Sequence, residues 1–190
     1  MSTTCLEARL LTLVADCPLR MRALRHAAAV MADAGIGDWY LAAGAIRNLV
    51  WDQLHGFVSP VPADLDLIYF NTPGGDIELE LQLQQRLLQL SPDLPWSVKD
   101  QGWMHLKSGD APYHSTFEAM GRWPEQETAI GVRLEAGGLQ LAVPFGLESL
   151  FALRLSPNPA RPLALFYSRL QAKRWLEHYP LLRALSVAAD

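Results

Sequence analysis

Apolar residues recur at helical spacing through the first 35 residues. Leu6, Leu10, Leu13 and Val14 form one stripe, opened by the capping-box spacing of Thr4-Cys5-Leu6-Glu7. Leu24, Ala27, Ala28 and Met31 form a second, with Asp16 or Cys17 as N-cap, Pro18 in the first turn and Gly35 as the stop. The period then changes. Trp39–Ala43 is short and fully apolar, as a strand buried on both faces should be, and Gly44 opens a helical pattern through Ile46, Leu49, Val50 and Leu54. The proline-bearing stretch 56–62 predicts a loop, Asp64–Phe70 a strand and 71–75 a turn. Asp76–Leu90 fits both periods, but some 15 residues without Gly or Pro decide for a helix with Asp76 as N-cap.

Pro95–Asp100 predicts a third strand, so strands and helices alternate as in an α/β sheet with crossovers. Lys107–Ala111 reads as a loop and Tyr113–Gly121 as a short helix. Thr128–Glu135 alternates apolar and polar, then Gly137-Gly138 turns into Leu139–Val143, a hairpin with glycine at both turn positions. A helix starts near Gly146 and ends before Ser156–Pro159. A last long helix spans about Leu163–Tyr179. The chain therefore divides into N-terminal helices (1–38), a sheet core (39–143) and C-terminal helices (144–190) of one domain, as its 190 residues allow.

Composition narrows the function classes. Half the residues are apolar and 19% charged, ordinary for a globular protein with a real core. The net charge of −4 argues against general binding to nucleic-acid backbones. Two cysteines without a C-x-x-C spacing exclude a disulfide framework or zinc knuckle and suit a reduced compartment. No stretch approaches a membrane span and no targeting segment is evident, so a cytoplasmic protein is expected. There is no phosphate-binding G-x-x-x-x-G-K-[ST], no G-x-S-x-G, and none of the five histidines has metal-ligand spacing, although His105 and His114 flank a loop.

The chemistry concentrates between residues 39 and 70. Asp64 and Asp66 alternate onto one face of a strand, about 7 Å apart, and carboxylates so close call for a cation between them. Gly44 starts a helix whose free N–H groups suit an anion. Arg47 in that helix's first turn needs an acid such as Asp52, or a phosphate, to offset the helix dipole. Arg169 and Lys173, one turn apart with Arg174 beside them, form either a solvated face or a clamp on phosphates.

Gly44-Ala45-Ile46-Arg47-Asn48 followed by Asp64-Leu65-Asp66 resembles the polymerase-β-like nucleotidyltransferase superfamily. The first segment is similar to the Gly-Gly-x-x-Arg-Asp of CCA-adding enzymes. A closer resemblance is to a bacterial nucleotidyltransferase-like family first described as a domain of unknown function. It is carried by Arg47–Asp52, Trp96–Gln101, Met104-His105, Trp123-Pro124-Glu125, Thr128–Arg133, Pro144, Gly146-Leu147, Arg169, Lys173 and Trp175, over residues 39 to 182. The resemblance implies an α/β (α+β) nucleotidyltransferase fold, a small mixed sheet flanked by helices with a C-terminal hairpin and helices. It also implies an NTP bound with two Mg²⁺ ions.

On this resemblance Asp64 and Asp66 hold the metals, and Gly44, Ala45 and Arg47 lie at the triphosphate. Lys99, Arg169 and Lys173 contact phosphate or acceptor. Active superfamily members use a third carboxylate on a neighbouring strand, for which Asp100 is the candidate ahead of Glu135. The family has Asn where this chain has Asp100, an acid where it has Ser97, and Ala-Arg where it has Gly102-Trp103. Residues 97 and 100 face opposite ways, so Asp100 serves only if a bulge intervenes. The implied activity is transfer of a nucleoside monophosphate to a hydroxyl acceptor: a small molecule for preference, with protein or RNA the other choices. The alternative is a nucleotide-sensing or partner-binding module on the same fold with reduced chemistry.

Overall fold

The computed structural model describes residues 3–59 and 61–185. Helices α1 (Thr3–Ala15) and α2 (Pro18–Asp33) lead into strand β1 (Asp38–Ala42), helix α3 (Gly44–His55), strand β2 (Leu65–Phe70), helix α4 (Ile77–Leu90) and strand β3 (Trp96–Asp100). Two five-residue helices follow, α5 (Met104–Ser108) and α6 (Thr116–Met120), then a 3₁₀ turn over Gln126–Thr128. The hairpin β4 (Gly131–Glu135) and β5 (Gly138–Ala142) precedes α7 (Glu148–Phe151), β6 (Arg154–Leu155), α8 (Leu163–Lys173), α9 (Trp175–His178) and β7 (Arg183–Ala184).

Five strands form one mixed sheet in the order β3-β2-β1-β4-β5. Within this sheet β2 and β3 run parallel, joined by the long crossover through α4, whose first turn is capped by the Asp76 carboxylate on the N–H groups of Glu78 and Leu79. β1 and β2 are antiparallel, with Ala42 opposite Asp66. The chain leaves β1 and, after α3 and the loop 56–64, re-enters beside the point where it left. This places Ala43 and Gly44 next to Asp64 and Asp66. Pro60 of that loop and residues 186–190 lie outside the described residues.

The two faces of the sheet differ. Leu41, Leu65, Leu67, Tyr69, Trp96, Val98 and Val132 pack into the large core with α1, α2 and α3, all buried. Tyr40, Ala42 and Ile68 face the other way onto a small cluster with Met120, Ala129 and Ala142. That thin cover leaves part of the second face open, and Asp66 alternates onto it.

Several expectations are corrected. Thr4 lies inside α1, so the capping-box spacing does not mark its start. Thr128 belongs to the 3₁₀ turn and β4 starts at Gly131, because the Thr128 hydroxyl is used by a buried arginine (below). The hairpin register pairs Glu135 with Gly138, so the two turn residues are Ala136 and Gly137, and Gly138 starts β5 with φ of 114°. Lys107 and Ser108 are helical in α5. The last helix breaks at Arg174, in left-handed conformation with φ of 51°. The two-residue strands β6 and β7 pair in parallel and are too short for any period to mark.

Candidate active site

Ala43 links β1 to α3 with φ 54° and ψ −128°, a conformation suited to glycine, and its carbonyl accepts from Ile46 and Arg47 (3.1 and 2.8 Å). The kink turns the chain directly into the helix, with the N–H groups of Gly44 and Ala45 at its head. A side chain at Gly44 would stand 3.8 Å from an Asp64 carboxylate oxygen, so helix start and first acid are in contact range. Strain of this kind costs about 1–3 kcal/mol for a residue with a Cβ, against about 0.5–1 kcal/mol of chain entropy for glycine. Ala43→Gly is therefore expected to stabilise the protein by roughly 1 kcal/mol, seen as a melting temperature about 2–4 °C higher. An unchanged or lower value would show that the kink is unstrained.

Asp64 is exposed and Asp66 half-buried. Burial, reinforced by the neighbouring Asp64 charge, raises the Asp66 carboxyl above the usual carboxylate range, while the Ser97 hydroxyl and the charges of Lys173 and Arg47 oppose the shift. Ser97 stands directly opposite Asp66 on β3. The position where the resemblance led to the expectation of an acid is thus beside Asp66, and it carries a hydroxyl.

A cleft of about 470 Å³ opens over this face. Ala43, Asp66, Ile68, Thr128 and Lys99 lie along it, and Trp123, Pro124 and Leu165 supply apolar wall. Five cations, Lys99, Lys107, Arg122, Arg161 and Arg169, line it against the single acid Asp66. Three are matched by acids. Lys99 Nζ is 2.9 Å from Glu80, Arg161 pairs with Asp110, and Arg169 donates to both oxygens of the fully buried Glu125. Lys107 lies 4.3 Å from the Trp103 ring centre. Lys173 is exposed at the end of α8, near enough for its charge to act on Asp66.

Asp100 is not brought to this face. The β2–β3 register runs from Leu65–Trp96 to Tyr69–Asp100 without a bulge, so Asp100 points with Trp96 and Val98 toward the α4 side. It is fully buried and accepts from the N–H groups of Asp76 (3.0 Å) and Gly102 (2.8 Å). A Cβ at Gly102 would lie 2.2 Å from the Thr72 carbonyl oxygen. Trp103 Nε1 donates to Glu80, which also accepts from the Asp100 N–H. The departures at 100, 102 and 103 form one structural knot, and Asp100 is corrected from third ligand to turn anchor. Glu135 is no substitute, being at the exposed end of β4 and paired with Arg133 at 2.6 Å. Among the described residues no cluster of three or more His, Cys, Asp or Glu side chains could hold a metal.

Arg47 is also placed differently from the expectation. It is buried, donates to Thr128 Oγ1 (2.6 Å) and to Asn48, and its guanidinium lies between the rings of Trp51 (4.4 Å) and Trp175 (4.6 Å). Burial pulls its pKa down to about 10, against the opposing charge of Glu125. Asp52 does not pair with it, accepting instead from Ser59 and Tyr179. Arg47 stands behind the cleft wall and is not among the lining residues. His105 is buried edge-on to Tyr113 (6.0 Å) and His114 is exposed, so neither lines the cleft.

Sequence reasoning missed Thr128, Arg122 and Lys107 as lining groups and Glu125 as the partner of Arg169; Arg161, which precedes α8, belongs to the cationic run expected there. The Trp123-Pro124-Glu125 and Thr128 segments carry the family resemblance, which was the available signal.

A small mixed sheet with a helix starting beside an acid pair at a cationic cleft defines the polymerase-β-like nucleotidyltransferase fold. The family described as Nucleotidyltransferase matches residues 29–184, and the chain belongs to it. An NMR structure described as revealing a CCA-adding enzyme head domain superposes with a TM-score of 0.78 at 31% identity, covering 94% of this chain and 95% of that one. A CCA-adding enzyme in complex with CTP gives 0.61 at 14% identity over 94% of this chain and 43% of its own. The Thermotoga maritima CCA-adding enzyme complexed with tRNA gives 0.61 at 14%, over 93% and 42%. The chain thus spans about two-fifths of those two enzymes, and at that identity the likeness is one of fold. No curated protein matches. No helix among the described residues is long and apolar enough to cross a membrane.

Proposed function

We propose that the cleft binds an NTP with Mg²⁺ and passes its nucleoside monophosphate to a hydroxyl acceptor, releasing pyrophosphate. The observation that carries this is Asp66 in a cleft lined by five cations, with Asp64 beside the head of α3 and near enough for its charge to act on Asp66. Two carboxylates suit Mg²⁺, which takes one or two from protein and completes its shell with phosphate and water. Asp64 and Asp66 would hold two such ions, which when bound lower the acceptor hydroxyl's pKa and neutralise the triphosphate. Gly44, partly exposed at the helix head, offers its N–H to a phosphate oxygen, whereas Ala45, expected beside it, is fully buried. Arg169, Lys99 and Lys173 supply charge to the triphosphate or acceptor. Arg47 acts from behind the wall, fixing Thr128 and adding a positive field at Asp66. The acceptor oxygen bonds to the α-phosphorus, the bond to the bridging oxygen breaks, and the acceptor proton passes to solvent. A cleft of this size in an acidic protein favours a small-molecule acceptor.

Ser97 favours a second reading. With a hydroxyl opposite Asp66 and Asp100 turned away, no third carboxylate among the described residues stands beside Asp66 to activate the acceptor, as in a nucleotide sensor. A screen of labelled NTPs against metabolites, proteins and tRNA, with Asp66→Asn protein as blank, separates the two. Label transfer with pyrophosphate release, absent from the blank, is the expected result. Mg-dependent binding without pyrophosphate across the whole panel would instead establish the sensor.

A further inference from the structure

We infer that Glu125 is a positioning residue that aims Arg169 at the nucleotide; this rests on the nucleotide reading of the cleft. Glu125 does not line the cleft and is fully buried. Its two oxygens accept from Nε and Nη2 of Arg169 (2.5 and 3.2 Å), so one edge of the guanidinium is clamped. The Nη1 corner is left for the cleft, which Arg169 lines with a side chain about one-third exposed (34%). A clamped guanidinium is held in one plane, whereas a free one on a helix surface samples many rotamers.

The carboxylate is itself immobilised. Pro124 precedes it, Glu125 forms a β-bridge with Pro157, and Gln126 N–H donates to the Ser156 carbonyl (3.0 Å). Asn158 donates from its side chain to the carbonyls of Gly121 and Trp123 (2.9 and 2.8 Å) and from its backbone to Pro124 (2.8 Å). The segment carrying Glu125 is thus pinned to the strap leading into α8. The Glu125 carboxylate pairs with Arg169 and its charge also acts on the buried Arg47, whose own charge reaches Asp66. A buried ion pair adds little to stability against an apolar replacement. Its yield here is direction, with a fixed acid setting where a cleft arginine points.

The test is a double-mutant cycle on nucleotide affinity. Wild type, Glu125→Gln, Arg169→Gln and the double variant are titrated with Mg²⁺ and non-hydrolysable analogues of the four NTPs, well below their melting temperatures. Arg169→Gln is expected to weaken binding about tenfold or more, and Glu125→Gln about tenfold when Arg169 is present but less than about twofold when it is absent. A structural role for Glu125 predicts the same loss in both backgrounds, and that result, or no loss in either, overturns the inference. Should Glu125→Gln not fold, Glu125→Asp, whose shorter arm breaks the two-oxygen grip, is held to the same comparison. Wild-type protein that binds no analogue overturns the nucleotide reading itself, and this inference with it.

Discussion

Asp66→Asn protein is expected to melt about 2–4 °C above wild type while losing Mg-dependent nucleotide binding. The reason is electrostatic. Asp66 is desolvated and faces Asp64, so its charged form is destabilised in the native state without a cation. Asparagine keeps the shape and removes the charge, a gain on the order of 1 kcal/mol. The pH dependence follows from the direction of the shift. The folded-state pKa of Asp66 is above its ordinary value of 3.8, so the native state binds the proton more tightly than the unfolded chain. The cost is full at neutral pH, shrinks as pH falls through the raised value, and vanishes below about 3.8. The advantage of Asp66→Asn, measured by thermal denaturation without divalent ions, therefore narrows from pH 7 toward pH 4. A variant less stable than wild type at pH 7 would mean that Asp66 is a structural acid.

Arg47→Leu is expected to lose roughly 3 kcal/mol, lowering the melting temperature on the order of 8 °C. Arginine at this position holds Thr128 and Asn48 and fills the space between Trp51 and Trp175, joining α3 to α9 and to the turn after α6. Desolvated cation–aromatic contacts of this kind contribute up to about 2 kcal/mol each. Its removal also leaves Glu125 balanced by Arg169 alone. An arginine serving only as an exposed phosphate ligand would change stability by less than about 0.5 kcal/mol on replacement. Calorimetric unfolding of the two proteins distinguishes the cases.

These two residues also show what was legible in the sequence. The helix start could be read because it is local, but the strand expected from Asp64 begins at Leu65, so Asp64 stands in the loop just before it and the period of two holds for Asp66 and not for the pair. The position of Asp100 was legible as a condition, since residues three apart on a regular strand face opposite ways, and the unbroken register decides it. Arg47 was not legible. Its partners Thr128 and Trp175 lie far along the chain, and nothing local distinguishes an arginine held between two rings from one awaiting phosphate. Glu125 and the Asp110 partner of Arg161 were missed for the same reason, as the pairings Arg169–Glu125 and Arg161–Asp110 cross 44 and 51 residues. The hairpin was seen but misplaced by one residue, because Ala136-Gly137 and Gly137-Gly138 are nearly equal as turns. The sheet was expected as a mixed one, but the β1–β2 pairing that brings Ala43 to Asp66 is tertiary and carries no local mark.

The central claim is that Asp64 and Asp66, at the head of α3, make this cleft a metal-dependent nucleotide site. Calorimetric titration of wild type and Asp66→Asn with each NTP, in Mg²⁺ and again in excess chelator, tests it most directly. The account predicts saturable binding only by wild type and only with Mg²⁺. Binding that survives either the chelator or the substitution would contradict it.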